Sequence, residues 1–159
     1  MGASFIVAVD RDPVRMKMSQ RIGADVVLGP QDADLLNEIK KLTRGGADVA
    51  IEALGIQGTF ENCLRCLHPG GTLSSLGVYS GKLQVPYDAF AAGIGDYKIV
   101  TTLCPGGKER TRRLMSMVQT KRFDPTPLLT HRFSLDQIVE AYDLFSSRRD
   151  GVLKVAIKP

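Results

Sequence analysis

Ser4-Phe5-Ile6-Val7-Ala8-Val9-Asp10, followed by Arg11-Asp12-Pro13, is the stretch whose reading decides the fold. The unbroken apolar run over residues 5–9 is the pattern of a strand buried on both faces. Asp12 and Pro13 have the chemistry of a helix N-cap and of the first helical position. A carboxylate standing where such a strand stops, just ahead of a helix, can accept both hydroxyls of an adenosine ribose. Asp10 is therefore the first candidate binding residue, and the chain reads as a nucleotide-binding α/β protein.

Outward from this stretch, a near-repeat organises the first half. Gly2-Ala3-Ser4, Gly23-Ala24-Asp25, Gly46-Ala47-Asp48 and Gly70-Gly71-Thr72 each precede an apolar run, at intervals in the low twenties. That interval suits one helix, one tight turn and one strand, with each glycine where a helix takes a left-handed cap. The runs Val26-Val27-Leu28, Val49-Ala50-Ile51 and residues 73–78 are the expected strands. Strands alternating with helices predict a parallel sheet. The first helix is expected to run to Ile22. A second opens at Asp32 or Asp34, with Leu35, Leu36, Ile39 and Leu42 as its apolar stripe. A third spans residues 59–67 and is stopped by Pro69 and the Gly70-Gly71 pair.

Beyond a looser stretch over residues 79–95, a strand is predicted over 98–103 and a long helix over 108–120. Pro125 and Pro127 mark a boundary, giving a division into 1–127 and 128–159. Past it, Ser134-Leu135-Asp136-Gln137 is a capping box, with Phe133 and Ile138 placed as its hydrophobic staple. The helix that follows is expected to turn Ile138, Val139, Tyr142 and Phe145 to one face, and a last strand covers 152–157.

Composition narrows the class. A chain of 159 residues, 43% hydrophobic and 24% charged, has the balance of one globular domain with its own core. No apolar run approaches the ~20 residues that span a bilayer, and a cytoplasmic location is the default expectation. Much of the net charge of +4 comes from Lys108, Arg110, Arg112, Arg113, Lys121 and Arg122. No aromatic residues interleave with these cations as single-strand binders require, so a solvated helix face is expected and no nucleic-acid partner. Three cysteines without a secretion signal predict free thiols. Cys63 and Cys66 have C-x-x-C spacing but lie in a helical run with no second ligand pair, which makes them small core residues. His68, at an expected helix end, and His131 read as structural or interface residues.

The phosphate loop is the missing motif. No G-x-G-x-x-G occurs, and residues 77–82 fall one short of a Walker A loop. In a doubly wound fold the glycine loop follows the first strand and the ribose acid ends the second. With Asp10 so near the start, the expectation is an incomplete sheet that begins at the second strand of the fold.

The run from Gly2-Ala3-Ser4 through Val9-Asp10 to Gly23-Ala24-Asp25, then Gly46-Ala47-Asp48-Val49-Ala50-Ile51-Glu52-Ala53-Leu54-Gly55 and His68-Pro69-Gly70-Gly71-Thr72, resembles the zinc-dependent alcohol dehydrogenases of the medium-chain dehydrogenase/reductase superfamily. Lys98-Ile99-Val100-Thr101-Thr102-Leu103-Cys104-Pro105-Gly106-Gly107 is most similar to the bacterial secondary-alcohol branch, as is the chain from Leu129-Thr130-His131 through Lys154-Val155-Ala156-Ile157. The resemblance implies a Rossmann cofactor domain followed by a helix and strand that return to the catalytic domain.

It also implies roles for residues. Asp10 holds the adenosine ribose, with Arg15 reaching the same ribose or its phosphate side. Leu54 and Gly55 flank the adenine, and Gly77 and Val78 lie beside the nicotinamide ribose. Leu103 and Cys104 offer backbone groups to the carboxamide, and Lys154 offers a cation to the pyrophosphate. NAD is implied over NADP, because a carboxylate accepts from the 2′-hydroxyl and repels a 2′-phosphate. The family's zinc, its proton relay and its pocket for a small alcohol or carbonyl belong to an N-terminal domain that this chain does not show, so the chain alone is expected to be inactive. Family members pair their cofactor domains through the region corresponding to 85–103, which implies a homodimer or tetramer. Two other readings stay open: a methyltransferase-like domain, which also holds a ribose with an acid after its second strand, and a non-catalytic NAD(H)-binding scaffold.

Overall fold

The computed structural model describes residues 2–32, 34–102 and 106–159. β1 (Val7–Val9) leads into α1 (Pro13–Arg21). Asp12 caps that helix, its Oδ1 accepting from the N–H groups of Val14 at 2.9 Å and Arg15 at 3.1 Å. Gly23, at φ 114°, turns the chain toward β2 (Val26–Leu28). β2 lies parallel to β1, with Val7 opposite Val26 and Val9 opposite Leu28. α2 (Leu35–Leu42) follows, then β3 (Ala47–Glu52), α3 (Gln57–Arg65), β4 (Leu67–Ser75) and β5 (Lys98–Thr101). β3, β4 and β5 form a second parallel sheet in that order. After α4 (Lys108–Gln119), β6 (Leu129–Ser134), α5 (Ile138–Ser147) and β7 (Lys154–Lys158) form a third unit in which β6 and β7 pair in parallel. Every strand pair is thus parallel, each joined by a helix-bearing or long crossover, as the alternating pattern requires.

The core lies where α2 and α3 meet β3 and β4. Leu35 and Ile39 of α2 pack with Ala50, Phe60, Leu64, Cys66, Leu67, Leu73 and Ala89, while Val7 and Leu28 close on the same cluster. Phe60 meets Tyr79 edge to face at 6.1 Å. Leu64 and Leu73 have no exposed surface, and burial of each such side chain stabilises the fold by roughly 1.5–3 kcal/mol.

Several expectations are corrected. The opening strand is short and half-exposed, Val9 at 43%, because β1 hydrogen-bonds only to β2 among the described residues. α3 starts at Gln57 and ends at Arg65, two residues early at each end, with Ile56 at its N-cap and the Thr59 hydroxyl, inside its first turn, bonding the Glu52 side chain. Pro69, Gly70 and Gly71 therefore fall within β4, at the irregularity where its register against β3 shifts. Residues 76–78 lie beyond β4, and β5 stops at Thr101. In α5 the expected face is reversed: Ala141 and Leu144 are buried, whereas Val139 and Tyr142 are largely exposed. The capping box at Ser134 and Gln137 is present.

Candidate functional site

Asp10 stands where β1 stops, its N–H donating to the Leu28 carbonyl of β2 at 3.2 Å. Its carboxylate faces the first turn of α1. Oδ1 accepts from the Asp12 N–H at 2.9 Å and from Arg15 Nη2 at 2.7 Å, and Oδ2 accepts from Arg15 Nε at 2.7 Å. This is a bidentate guanidinium–carboxylate fork. The Arg15 hydrogen bonds hold the Asp10 carboxyl below its usual range, and Asp10 in turn raises Arg15. Both side chains remain open to solvent, at 27% and 35% exposure, so a ligand can reach the fork. The helix cap is what aims Arg15: Asp12 fixes the Arg15 backbone N–H and lies 3.6 Å from its Nη1.

A second carboxylate ends a strand. Glu52 closes β3, but its side chain turns inward and is 1% exposed. Oε1 accepts from the N–H groups of Leu54 and Gly55, both at 2.9 Å, and from Thr59 Oγ1 at 2.7 Å. Oε2 accepts from the Tyr79 hydroxyl at 2.7 Å, and that hydroxyl also meets Ser75 Oγ at 2.9 Å. Burial pushes the Glu52 carboxyl up, but the donors from Thr59, Tyr79, Gly55 and Leu54 outweigh it and hold it below the ordinary range. The Glu52 carbonyl accepts from the Leu76 N–H at 2.7 Å and the Gly77 N–H at 3.2 Å. The sequence reading missed Glu52. Its signal was the same as that of Asp10, an acid closing an apolar strand.

Around Glu52 the structure brings together four of the predicted residues. Gly55 has φ 87°, and a Cβ there would run into the Val78 carbonyl. A Cβ on Gly77 would run into Glu52 Oε2 and the Gly55 backbone. The loops after β3 and β4 are therefore in direct backbone contact, which only glycine permits. Leu54 and Val78 flank this contact with 64% and 77% of their surface exposed, so they are not core residues. Lys154 is exposed on β7, its carbonyl accepting from Thr130 Oγ1 at 3.1 Å. The loop before β7 does approach α1, since a Cβ on Gly151 would sit 3.6 Å from a Val14 methyl. Leu103 and Cys104 lie outside the described residues.

Other titratable groups carry no comparable geometry. Burial pushes the Cys63 thiol up to about 12 and the Cys66 thiol up to about 11, so both are free, protonated core thiols and poor metal ligands. His68 lies within β4, not at a helix end, and its Nε2 meets Asp48 Oδ1 at 2.9 Å, which raises its pKa. His131 lies on β6 beside Thr130 Oγ1. α4 buries none of its residues, and Arg112 and Arg113 both pair with Glu109. Among the described residues no three His, Cys, Asp or Glu side chains cluster as metal ligands, and no helix is long and apolar enough to cross a membrane.

Comparison with known proteins gives a consistent answer. The family described as zinc-binding dehydrogenase matches residues 1–120. An alcohol dehydrogenase of Cupriavidus necator is 57% identical over 159 residues, covering 99% of this chain and 43% of that protein. An NADP-dependent isopropanol dehydrogenase of Thermoanaerobacter brockii is 33% identical, covering 98% of this chain and 46% of that protein. Among solved structures, zinc-dependent alcohol dehydrogenase 2 from Streptococcus pneumonia superposes with a TM-score of 0.87 at 31% identity, covering 98% of this chain and 44% of that one. The chain thus spans less than half the length of each of these relatives.

Proposed function

The chain belongs to the zinc-binding dehydrogenase family, and from that membership we propose that it is the dinucleotide-holding, C-terminal part of an NAD-linked alcohol dehydrogenase. One observation carries this reading: an accessible carboxylate, Asp10, at the end of a parallel strand and just ahead of a capped helix. When bound, the nicotinamide cofactor supplies the hydride chemistry. The residues of this chain orient it. Asp10 accepts from the adenosine ribose hydroxyls as Arg15 yields part of the fork and turns its cation to the ribose or its phosphate side. Leu54 and Gly55 flank the adenine, and Gly77 and Val78 lie beside the nicotinamide ribose. Leu103 and Cys104 offer backbone groups to the carboxamide, and Lys154 a cation to the pyrophosphate. A carboxylate here accepts from a 2′-hydroxyl and repels a 2′-phosphate, which favours NAD over NADP.

Among the described residues no three His, Cys, Asp or Glu side chains are grouped to hold a zinc ion. We place the zinc, the proton relay and the pocket for a small alcohol or carbonyl outside this chain, in a region corresponding to the rest of its relatives. A strand from that region would fill the sheet between the open edges of β1 and β3. Residues 1–127 then form the cofactor domain and 128–159 the segment that returns to the catalytic one. The reading extends to pairing of two copies through residues 85–103 and to a cytoplasmic location.

Calorimetric titration with NADH, NADPH and S-adenosylmethionine tests the reading. NADH is expected to bind, NADPH more weakly and S-adenosylmethionine not at all. Saturable binding of S-adenosylmethionine with none of NADH would replace it by the methyltransferase-like alternative.

A further inference from the structure

Glu52 is an expensive residue to keep. A carboxylate with 1% of its surface exposed loses most of its hydration, and an apolar residue of similar size would avoid that penalty. All its partners come from one place. Leu54, Gly55, Thr59 and Tyr79 donate to its carboxylate, and Leu76 and Gly77 to its carbonyl. Leu54, Gly55, Leu76, Gly77 and Tyr79 belong to the two loops that leave β3 and β4, and Thr59 sits in the first turn of the adjoining α3. Among the described residues, its carboxylate makes no hydrogen bond to the α2 side of the core. Two backbone amides and two hydroxyls converge on one group, and only an ionised carboxylate accepts from all of them without also presenting a donor.

We propose that Glu52 is a positioning residue for dinucleotide binding: it holds Gly55 against Gly77 and Val78, so that the two loops present a single rigid edge to the cofactor. This rests on the cofactor reading above, but its local consequence does not. With the carboxylate in place, Gly55 keeps its positive φ against the Val78 carbonyl, and Leu54 and Val78 are held outward with their apolar surface exposed. With an amide in its place, an N–H₂ faces the donors of Leu54, Gly55, Thr59 or Tyr79. Facing Tyr79, the N–H₂ makes that hydroxyl accept and turn its proton to Ser75, while the bonds from Leu54, Gly55 and Thr59 lose the carboxylate charge that strengthened them, and the loop relaxes. Asp10 grips one end of the ligand directly. Glu52, itself buried, acts on another stretch through the backbone of Leu54 and Gly55.

The test uses the whole chain with Glu52→Gln, Tyr79→Phe and, as a control for stability alone, Leu144→Ala on α5. NADH affinity is measured by calorimetry, and the Leu54 and Gly55 amides are followed by NMR shift and hydrogen exchange. Glu52→Gln is expected to weaken NADH by about tenfold or more, to move both amide resonances and to open them to exchange. Tyr79→Phe, which leaves the carboxylate and its other donors, is expected to weaken NADH less. Leu144→Ala is expected to lower the melting temperature with affinity unchanged. Equal affinity in Glu52→Gln and the parent overturns the proposal. Should Glu52→Gln not fold, Tyr79→Phe carries the same criterion, and unchanged affinity there overturns it. If the parent itself binds no NADH, the cofactor reading fails. The amides then decide the role of Glu52: undisturbed shifts and protection in the variant overturn it.

Discussion

Two acids close two parallel strands, and their surroundings give them opposite roles. Asp10 is solvent-accessible and is held by one flexible cation, so its acceptors can be traded to a ligand. Glu52 is sealed under four fixed donors and cannot be traded. Both carboxyls titrate below their ordinary range in the folded chain, Asp10 chiefly through Arg15 and Glu52 through donors that overcome its burial. The folded state therefore binds fewer protons than the unfolded chain across the acidic range. Their contribution is complete above the ordinary carboxylate values and is lost as pH falls through the lowered ones. Thermal melts between neutral pH and about pH 3 should show stability falling on acidification, with a shallower fall in Glu52→Gln. An identical profile in parent and variant would remove Glu52 from the effect. Asp10 was readable in the sequence because the acid, the cap and the proline stand side by side. Glu52 carried the same strand-end signal, but its burial was not readable, because Thr59 and Tyr79, the residues that satisfy it, lie seven and 27 positions away.

At the scale of elements, α1 is the device that presents the site. It has no buried residue, so packing alone does little to hold it in place. Its Asp12 cap satisfies two orphan amides and fixes the start of the helix from which Arg15 reaches Asp10. Asp12→Ala is expected to cost about 1 kcal/mol, a fall of about 2–4 °C in melting temperature for a chain of this size, measured by circular dichroism. A neutral result would mean that the cap is not what anchors the helix. Element identity and order were legible where signals were strong: Asp12 and Pro13 open α1, the Ser134 capping box stands just ahead of α5, and Gly23 and Gly46 turn the chain into β2 and β3. What the pattern could not give was where a hydroxyl bonds. Thr59 bonds Glu52 from inside the first turn of α3, which begins two residues before it at Gln57. Nor could it give the face of α5, where Val139 and Tyr142 stay exposed while Ala141 and Leu144 are buried.

For the whole molecule, the parallel strands fall into three groups, β1-β2, β3-β4-β5 and β6-β7. On β3, Ala50 and Glu52 are buried beneath α3, whereas Val49 and Ile51 on the opposite face are more than half exposed. Burial depends on what lies beside and above a strand, and the run over residues 5–9 names its own chemistry but not its neighbours. That is why the doubly wound class was legible and the depth of the first strand was not. The account converges on one side chain, so its most direct test is to change the acceptor at Asp10 and compare two cofactors that differ by one phosphate. Saturation-transfer NMR on the parent and on Asp10→Ser, each with NADH and NADPH, detects even weak binding. The account predicts that the parent prefers NADH, with transfer to the adenosine ribose protons, and that Asp10→Ser loses this preference and gains NADPH. An unchanged NADH-to-NADPH preference in the variant would contradict it.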